Sequence, residues 1–177
     1  MKIFVSILLV CFSVLGSAQI YTSINGKIDF VSEAPLEIIR ASSDLLQGAL
    51  DLEKKTFGFR VGIKSFNGFN NPLQQVHFYE NYLEANEFPM ATFKGKILEQ
   101  IQEGNCVCRA KGILLIHGVE VERIIDINLK LKNDIITYEA EFYVPLIDHN
   151  ISLPRIVYQK IAEEILVTVK GQMSLKK

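Results

Sequence analysis

Positive charge is not in excess in this chain. Its 19 Lys and Arg stand against 20 Asp and Glu among 177 residues, a formal net charge of -1. A nucleic-acid binder needs a basic footprint to displace counterions from phosphates, and this balance argues against one. Fixed-period repeats, low-complexity tracts and long linkers are absent too, so the length suggests a single domain with a core of its own. The signatures of catalysis are missing: there is no Gly-x-Ser-x-Gly nucleophile turn and no Gly-x-x-x-x-Gly-Lys phosphate loop. The histidines His77, His117 and His149 show neither His-x-His nor His-x-x-x-His spacing, so no zinc-ligand pattern is visible. Glu80, Glu84 and Glu87 form an acidic run of the kind that usually faces solvent, whereas glycoside cleavage needs two carboxylates at a defined separation across a cleft. No catalytic residue, metal ligand or cofactor is assigned.

Long apolar runs are confined to the start. Lys2 precedes the run Ile3 to Leu15, and Gly16-Ser17-Ala18 supplies the small residues that a signal peptidase reads. The run is short of the ~20 apolar residues needed to cross a bilayer. Residues 1–18 are therefore expected to be a signal peptide cleaved after Ala18, leaving 19–177 as one exported domain with no membrane span. Cys11 follows Val10, which is larger than the residue a lipoprotein cleavage site wants. The mature chain keeps only Cys106 and Cys108. Export invites a disulfide. At i, i+2 in a strand, however, the Cα atoms stand roughly 6.5 Å apart, near the limit for a bridge. Two small buried hydrophobes are expected instead.

What the sequence does have is alternation. Thr56 to Lys64 puts Phe57, Phe59, Val61 and Ile63 on one face, and Ile135 to Val144 does the same with Ile136, Tyr138, Ala140, Phe142 and Val144. A period of two marks strands with one buried and one wet face. Further strands are expected at Ser23–Ser32 (Ile24, Ile28 and Phe30 inward), 37–42, 45–52, 91–98, 106–116, 119–131 and 165–175. In the 119–131 strand Arg123 interrupts the apolar face and is placed at the rim. Asn71-Pro72 is a good helix start, because Asn caps and Pro loses nothing at the first helical position. A short helix or helical turns are expected from there to about Ala85, and a second helix after Ser152-Leu153-Pro154. Eight or nine antiparallel strands with one or two short helices fit an all-β, eight-stranded lipocalin-like barrel, although a sandwich would use similar strands.

Three segments carry a family resemblance. His77-Phe78-Tyr79-Glu80-Asn81-Tyr82-Leu83-Glu84-Ala85-Asn86-Glu87-Phe88-Pro89-Met90-Ala91-Thr92-Phe93 resembles the central signature of the YceI-like family. Gly112-Ile113-Leu114-Leu115-Ile116-His117-Gly118-Val119 is similar to its later strand and turn, with Leu115 where Thr is usual. Asp148 to Pro154 resembles its Asp-containing loop. The likeness runs from about Asn25 to the end. It departs at the amino-terminal side, where the family's Trp and its His-Ser pair are missing. The resemblance implies an exported, periplasmic lipocalin-like barrel whose bore holds a polyisoprenoid or isoprenoid-quinone type of amphiphile.

The residues expected to line that bore are Phe57, Phe59, Val61 and Ile63, then Phe93 and Ile97. Leu114, Ile125 and Ile127 follow, with Tyr138, Phe142, Val167 and Val169 from the last two strands. His77, Phe78 and Tyr82 are placed at the mouth. The small residues Ala91, Gly95, Ala110, Gly112, Ala140 and Gly171 are expected to leave a slot. A long tail hiding several hundred Å² at about 25 cal/mol per Å² gains roughly 10 kcal/mol gross, before ordering costs. Two other readings stay open: an enzyme on a hydrophobic substrate at the barrel mouth, and an interaction protein whose large and small side chains mesh into a solid core. A homodimer is compatible with the sequence.

Overall fold

The computed structural model describes residues 19–176. The expected signal peptide and its cleavage site lie outside the described residues. Nine strands are present: β1 (Ile20–Glu33), β2 (Ile38–Ser43), β3 (Gln47–Asp51), β4 (Thr56–Gly62), β5 (Met90–Ile97), β6 (Gly104–Ile116), β7 (Val119–Lys132), β8 (Ile135–Pro145) and β9 (Glu164–Leu175). Every pairing between them is antiparallel.

The sheet closes because β1 is long enough to be shared. Along one edge it pairs with β9 from Tyr21↔Leu175 to Val31↔Leu166. Along the other it pairs first with β3 and then with β2. β1 and β3–β9 thus form a closed eight-stranded barrel, with β2 as an extra strand beside one end. Closure removes the free edges that an open sheet would expose.

The expected faces hold along most strands. Phe57 and Val61 of β4, Ile125, Ile127 and Leu129 of β7, and Ile136, Tyr138 and Ala140 of β8 are all buried inward. Ile24 breaks the pattern. It was expected inward with Ile28 and Phe30, yet it is exposed. The register with β9 jumps between Ser23 and Asn25, so Ile24 is the extra residue of a bulge and turns outward.

Two other expectations are corrected. Cys106 and Cys108 are not separate small hydrophobes. Their sulfurs are bonded, and the Cα atoms lie 5.9 Å apart, closer than a fully extended strand would hold them. The second helix is only a 3₁₀ turn, Arg155–Val157, without a side-chain cap, in which Ile156 points into solvent and Val157 turns toward the interior. The first helical stretch is the short helix with further turns that the sequence leads one to expect. α1 (Pro72–His77) starts as anticipated, with Asn71 accepting from the Gln74 amide, and then widens into a π-helical turn over Phe78–Tyr82.

The glycines do not open a slot either. A Cβ on Gly95 or Gly112 would overlap the backbone of the facing strand. Gly26 and Gly171 are register partners, and both lie under the Tyr138 hydroxyl. These positions let strands approach closely and let one ring lie flat against the wall. The alanines keep the role expected of them, with Ala91, Ala110 and Ala140 bordering free space in the bore.

A test follows from the crowding at Gly26, where an added Cβ would run into the Leu46 carbonyl group, whereas Gly58 has only Lys94 Cγ at 3.7 Å. Gly26→Ala is expected to lower unfolding stability by about 1–3 kcal/mol in a urea titration, as overpacking does. Gly58→Ala is expected to leave the midpoint nearly unchanged.

Candidate functional site

Two chambers lie end to end inside the barrel. The lower, of about 100 Å³, is bordered by β3–β9 and is apolar apart from Arg60, Thr92 and the Tyr138 hydroxyl. The upper, of about 420 Å³, widens toward one end of the barrel. They adjoin, with Ile28, Val61, Ala91, Leu114 and Phe142 bordering both.

The residues picked from sequence distribute over both. Phe57, Phe59, Phe93, Ile97, Ile125, Ile127, Tyr138 and Val169 border the lower chamber. Val61, Leu114 and Phe142 border both, and Ile63 and Val167 border the upper. His77, Phe78 and Tyr82 also face the upper chamber. Phe78 sits deeper than a mouth residue would. It stacks on Phe30 with centroids 5.2 Å apart, and Phe66 and Phe69 approach it edge-on or tilted at 5.7 and 5.2 Å. Sequence reasoning missed this aromatic group as a lining. Phe66 and Phe69 come from the irregular segment after β4, where periodicity gives no face to read.

Narrowing at the lower end comes from rings. Phe59 meets Tyr138 at 5.3 Å and Phe57 meets Phe93 at 4.9 Å. The Tyr138 hydroxyl turns toward Ser23 Oγ at 3.3 Å, and burial pushes its pKa up. The lower space therefore offers a guest almost no polar contact.

At the upper end the lining becomes mixed. Glu37, Asn71, Gln74, His77 and Lys160 appear among the apolar groups. Gln74 donates to the Glu37 carboxylate, which ties α1 to the β1–β2 turn. Tyr79 donates to the Phe66 carbonyl at 2.5 Å and accepts from Gln75 at 2.9 Å, which fixes the helix over the phenylalanine loop. Burial raises the pKa of the Tyr82 hydroxyl.

The remaining histidines brace the wall instead of facing the bore. β7 and β8 pair only between Asn128–Lys132 and Ile135–Glu139. Beyond that, the 3₁₀ turn Leu146–His149 packs against β7. His149 is fully buried, and its Nδ1 donates to the Val119 carbonyl at 3.2 Å. His117, in the β6–β7 turn, donates from Nδ1 to the His149 carbonyl at 3.1 Å, and its Nε2 lies 2.7 Å from the Glu84 carboxylate. Arg123, expected at the rim, reaches Asp148 at 2.5 Å in this same brace. Arg123 Nε and His149 Nε2 are buried without a protein partner. Among the described residues no group of three or more His, Cys, Asp or Glu is arranged to hold a metal.

Residues 18–173 match the model of the YceI-like domain. The barrel is similar to a polyisoprenoid binding domain from Saccharophagus degradans implicated in plant cell wall breakdown (TM-score 0.75, 12% identity, covering 90% of this chain and 100% of that one). It is similar to Burkholderia cenocepacia BcnA at TM-score 0.69 and 13% identity, over 83% of this chain and 95% of that one. The Campylobacter jejuni YCEI protein matches at TM-score 0.59 and 18% identity, over 72% and 78%. No significant match was found among curated proteins.

The brace has a pH signature. Burial is the main cause that lowers the His149 pKa, and the Arg123 charge lowers it further. The folded state thus favours the neutral ring, while the unfolded chain takes up the proton near the ordinary value of ~6.5. Stability from this group is complete above pH ~6.5. It declines as the pH falls below that value and levels off once the folded ring is itself protonated. Thermal melts between pH 8 and 5 are expected to show that decline, and His149→Asn is expected to flatten it.

Proposed function

The chain belongs to the YceI-like family, and from that premise we propose that it is an exported carrier of a long-chain amphiphile. The cargo is of the polyisoprenoid or isoprenoid-quinone type. The observation that carries this reading is the apolar barrel interior, whose upper chamber of about 420 Å³ falls in the size range of small-molecule sites. An eight-stranded barrel either fills its interior or holds one small ligand. Here the ring-filled lower end and the wider upper end divide those roles. The tail occupies the chambers, where every contact with wall carbon removes apolar surface from water. The head stays at the mixed lining of Gln74, His77 and Lys160.

Two further observations support the reading. The Saccharophagus degradans domain is described as polyisoprenoid binding and shares the barrel. The leader anatomy at residues 1–18 suits export, and the family suits a periplasmic address. The alternative of a mouth enzyme has no base and nucleophile brought together to favour it.

Organic extraction of the purified protein followed by mass spectrometry is expected to recover an isoprenoid lipid. Ala91 borders both chambers, so Ala91→Phe should fill the passage with little disturbance outside. It is expected to cut isoprenoid uptake at least tenfold while the thermal midpoint stays close to that of the parent. Absence of extractable lipid together with no uptake of added isoprenoid overturns the proposal.

A further inference from the structure

We propose that the rim around the upper chamber is a docking surface for a lipid bilayer, so that the mouth opens directly onto the membrane. The inference rests on the carrier reading for its purpose and on the rim itself for its geometry. Three segments make the rim. Helix α1 contributes Leu73, which is 62% exposed while also bordering the chamber. The β1–β2 turn contributes Leu36, 66% exposed. The 3₁₀ turn after Pro154 contributes Ile156 and Tyr158, 87% and 51% exposed, and its Val157 borders the chamber.

These segments form one connected collar. Gln74 of α1 bonds Glu37 of the β1–β2 turn, and the Leu36 amide donates to the Gln159 carbonyl at 2.8 Å. Three hydrocarbon side chains and one phenol ring are therefore exposed around the entrance to an apolar space. Exposed apolar groups clustered in this way mark either a protein or a membrane contact.

The geometry favours a bilayer. The rim's apolar groups sit on turns and one short helix, and the outer edge of neighbouring β2 is partly taken up by Asn67 and Asn70, so little strand edge is left for a peptide to extend. Its apolar groups are continuous with the chamber lining, so a tail leaving the acyl layer would pass from hydrocarbon to hydrocarbon without crossing water. Charge around the mouth is mixed, with Arg155 and Lys160 on one side and Glu37 held by Gln74 on the other. That suits a zwitterionic phosphatidylcholine surface, reached by insertion of side chains rather than by attraction to anionic lipid.

The absence of tryptophan gives a direct test in the full chain. Ile156→Trp places a single reporter on the rim. Val107→Trp places one on the exposed outer face near the opposite end of the barrel, where Val107 is 71% exposed. With phosphatidylcholine vesicles, the rim tryptophan is expected to shift to the blue and to lose at least half its emission to brominated acyl chains. The Val107 tryptophan is expected to keep its emission in water. Both chains carry the same residues 1–18, so any attraction exerted by that segment acts on both, and the contrast reads which end inserts. Adding Leu73→Asp to the rim reporter is expected to reduce vesicle partitioning at least tenfold.

Equal behaviour of the two reporters overturns the proposal. So does a rim tryptophan that stays in water with vesicles, including one whose emission shifts only with protein concentration, which would assign the rim to a second copy of the chain. Uptake of geranylgeraniol from cyclodextrin, with no bilayer present, tests the carrier reading separately. Uptake without rim insertion removes the docking surface alone. Insertion without uptake leaves the docking surface standing and removes the carrier.

Discussion

Everything in this molecule depends on the pairing of its first strand with its last. β1 and β9 stay in register from Tyr21↔Leu175 to Val31↔Leu166, interrupted only at the Ile24 bulge. Without that seam, the inward faces of β4 through β8 would belong to an open, strongly twisted sheet and would have to collapse on each other or on another layer. With it, the ladders run around the ring except where β7 and β8 diverge beyond Asn128 and Glu139, and the side chains need not meet at the centre to hide from water. The barrel can therefore be stable while its axis is incompletely filled.

How it is filled follows from side-chain size at a few crossing points. Rings from β4, β5 and β8 crowd the lower half, and glycines on β1, β3 and β9 make room for them. Phe59 lies over Gly48, and Tyr138 lies over Gly26 and Gly171. The upper chamber is wider although Phe30, Phe66, Phe69 and Phe78 line it, and Ala91 and Leu114 stand where the two chambers adjoin. The glycines thus help close the bore, and the alanines help leave it open.

Much of this was legible in the sequence, for a physical reason. Alternation is local, so the inward sets of β4, β7 and β8 could be read residue by residue. The family resemblance supplied the closure that alternation cannot, because a sandwich strand and a barrel strand look alike. What escaped reading was nonlocal. The bulge at Ile24 exists only in relation to β9. The role of each glycine depends on what faces it across the sheet. The Cys106–Cys108 bond depends on a local shortening of β6 that no spacing rule reveals. Ser152-Leu153-Pro154 has the chemistry of a helix start, but the chain that follows leaves Ile156 and Tyr158 in solvent and forms only a 3₁₀ turn. The aromatic group of Phe30, Phe66, Phe69 and Phe78 gathers one strand, one loop and one π-helical turn, and only the fold brings them together.

The two ends of the barrel differ in what their walls are made of, and this sets where a guest can enter. The lower end is enclosed by continuous ladders, so opening it would break several strand-to-strand hydrogen bonds at once. The upper end is enclosed largely by α1, the phenylalanine loop and the segment from Leu146 to Ile161, which are joined to the strands by a handful of side-chain and turn bonds. Segments held in this way open at lower free energy than a ladder does. The histidine brace between β7 and the Leu146–His149 turn lies on this same half, where it holds β8 against β7 beyond their last paired residues. The wall is therefore fixed laterally while its cover is not. Opening the bore costs least along the barrel axis, at the end where the apolar chamber is widest.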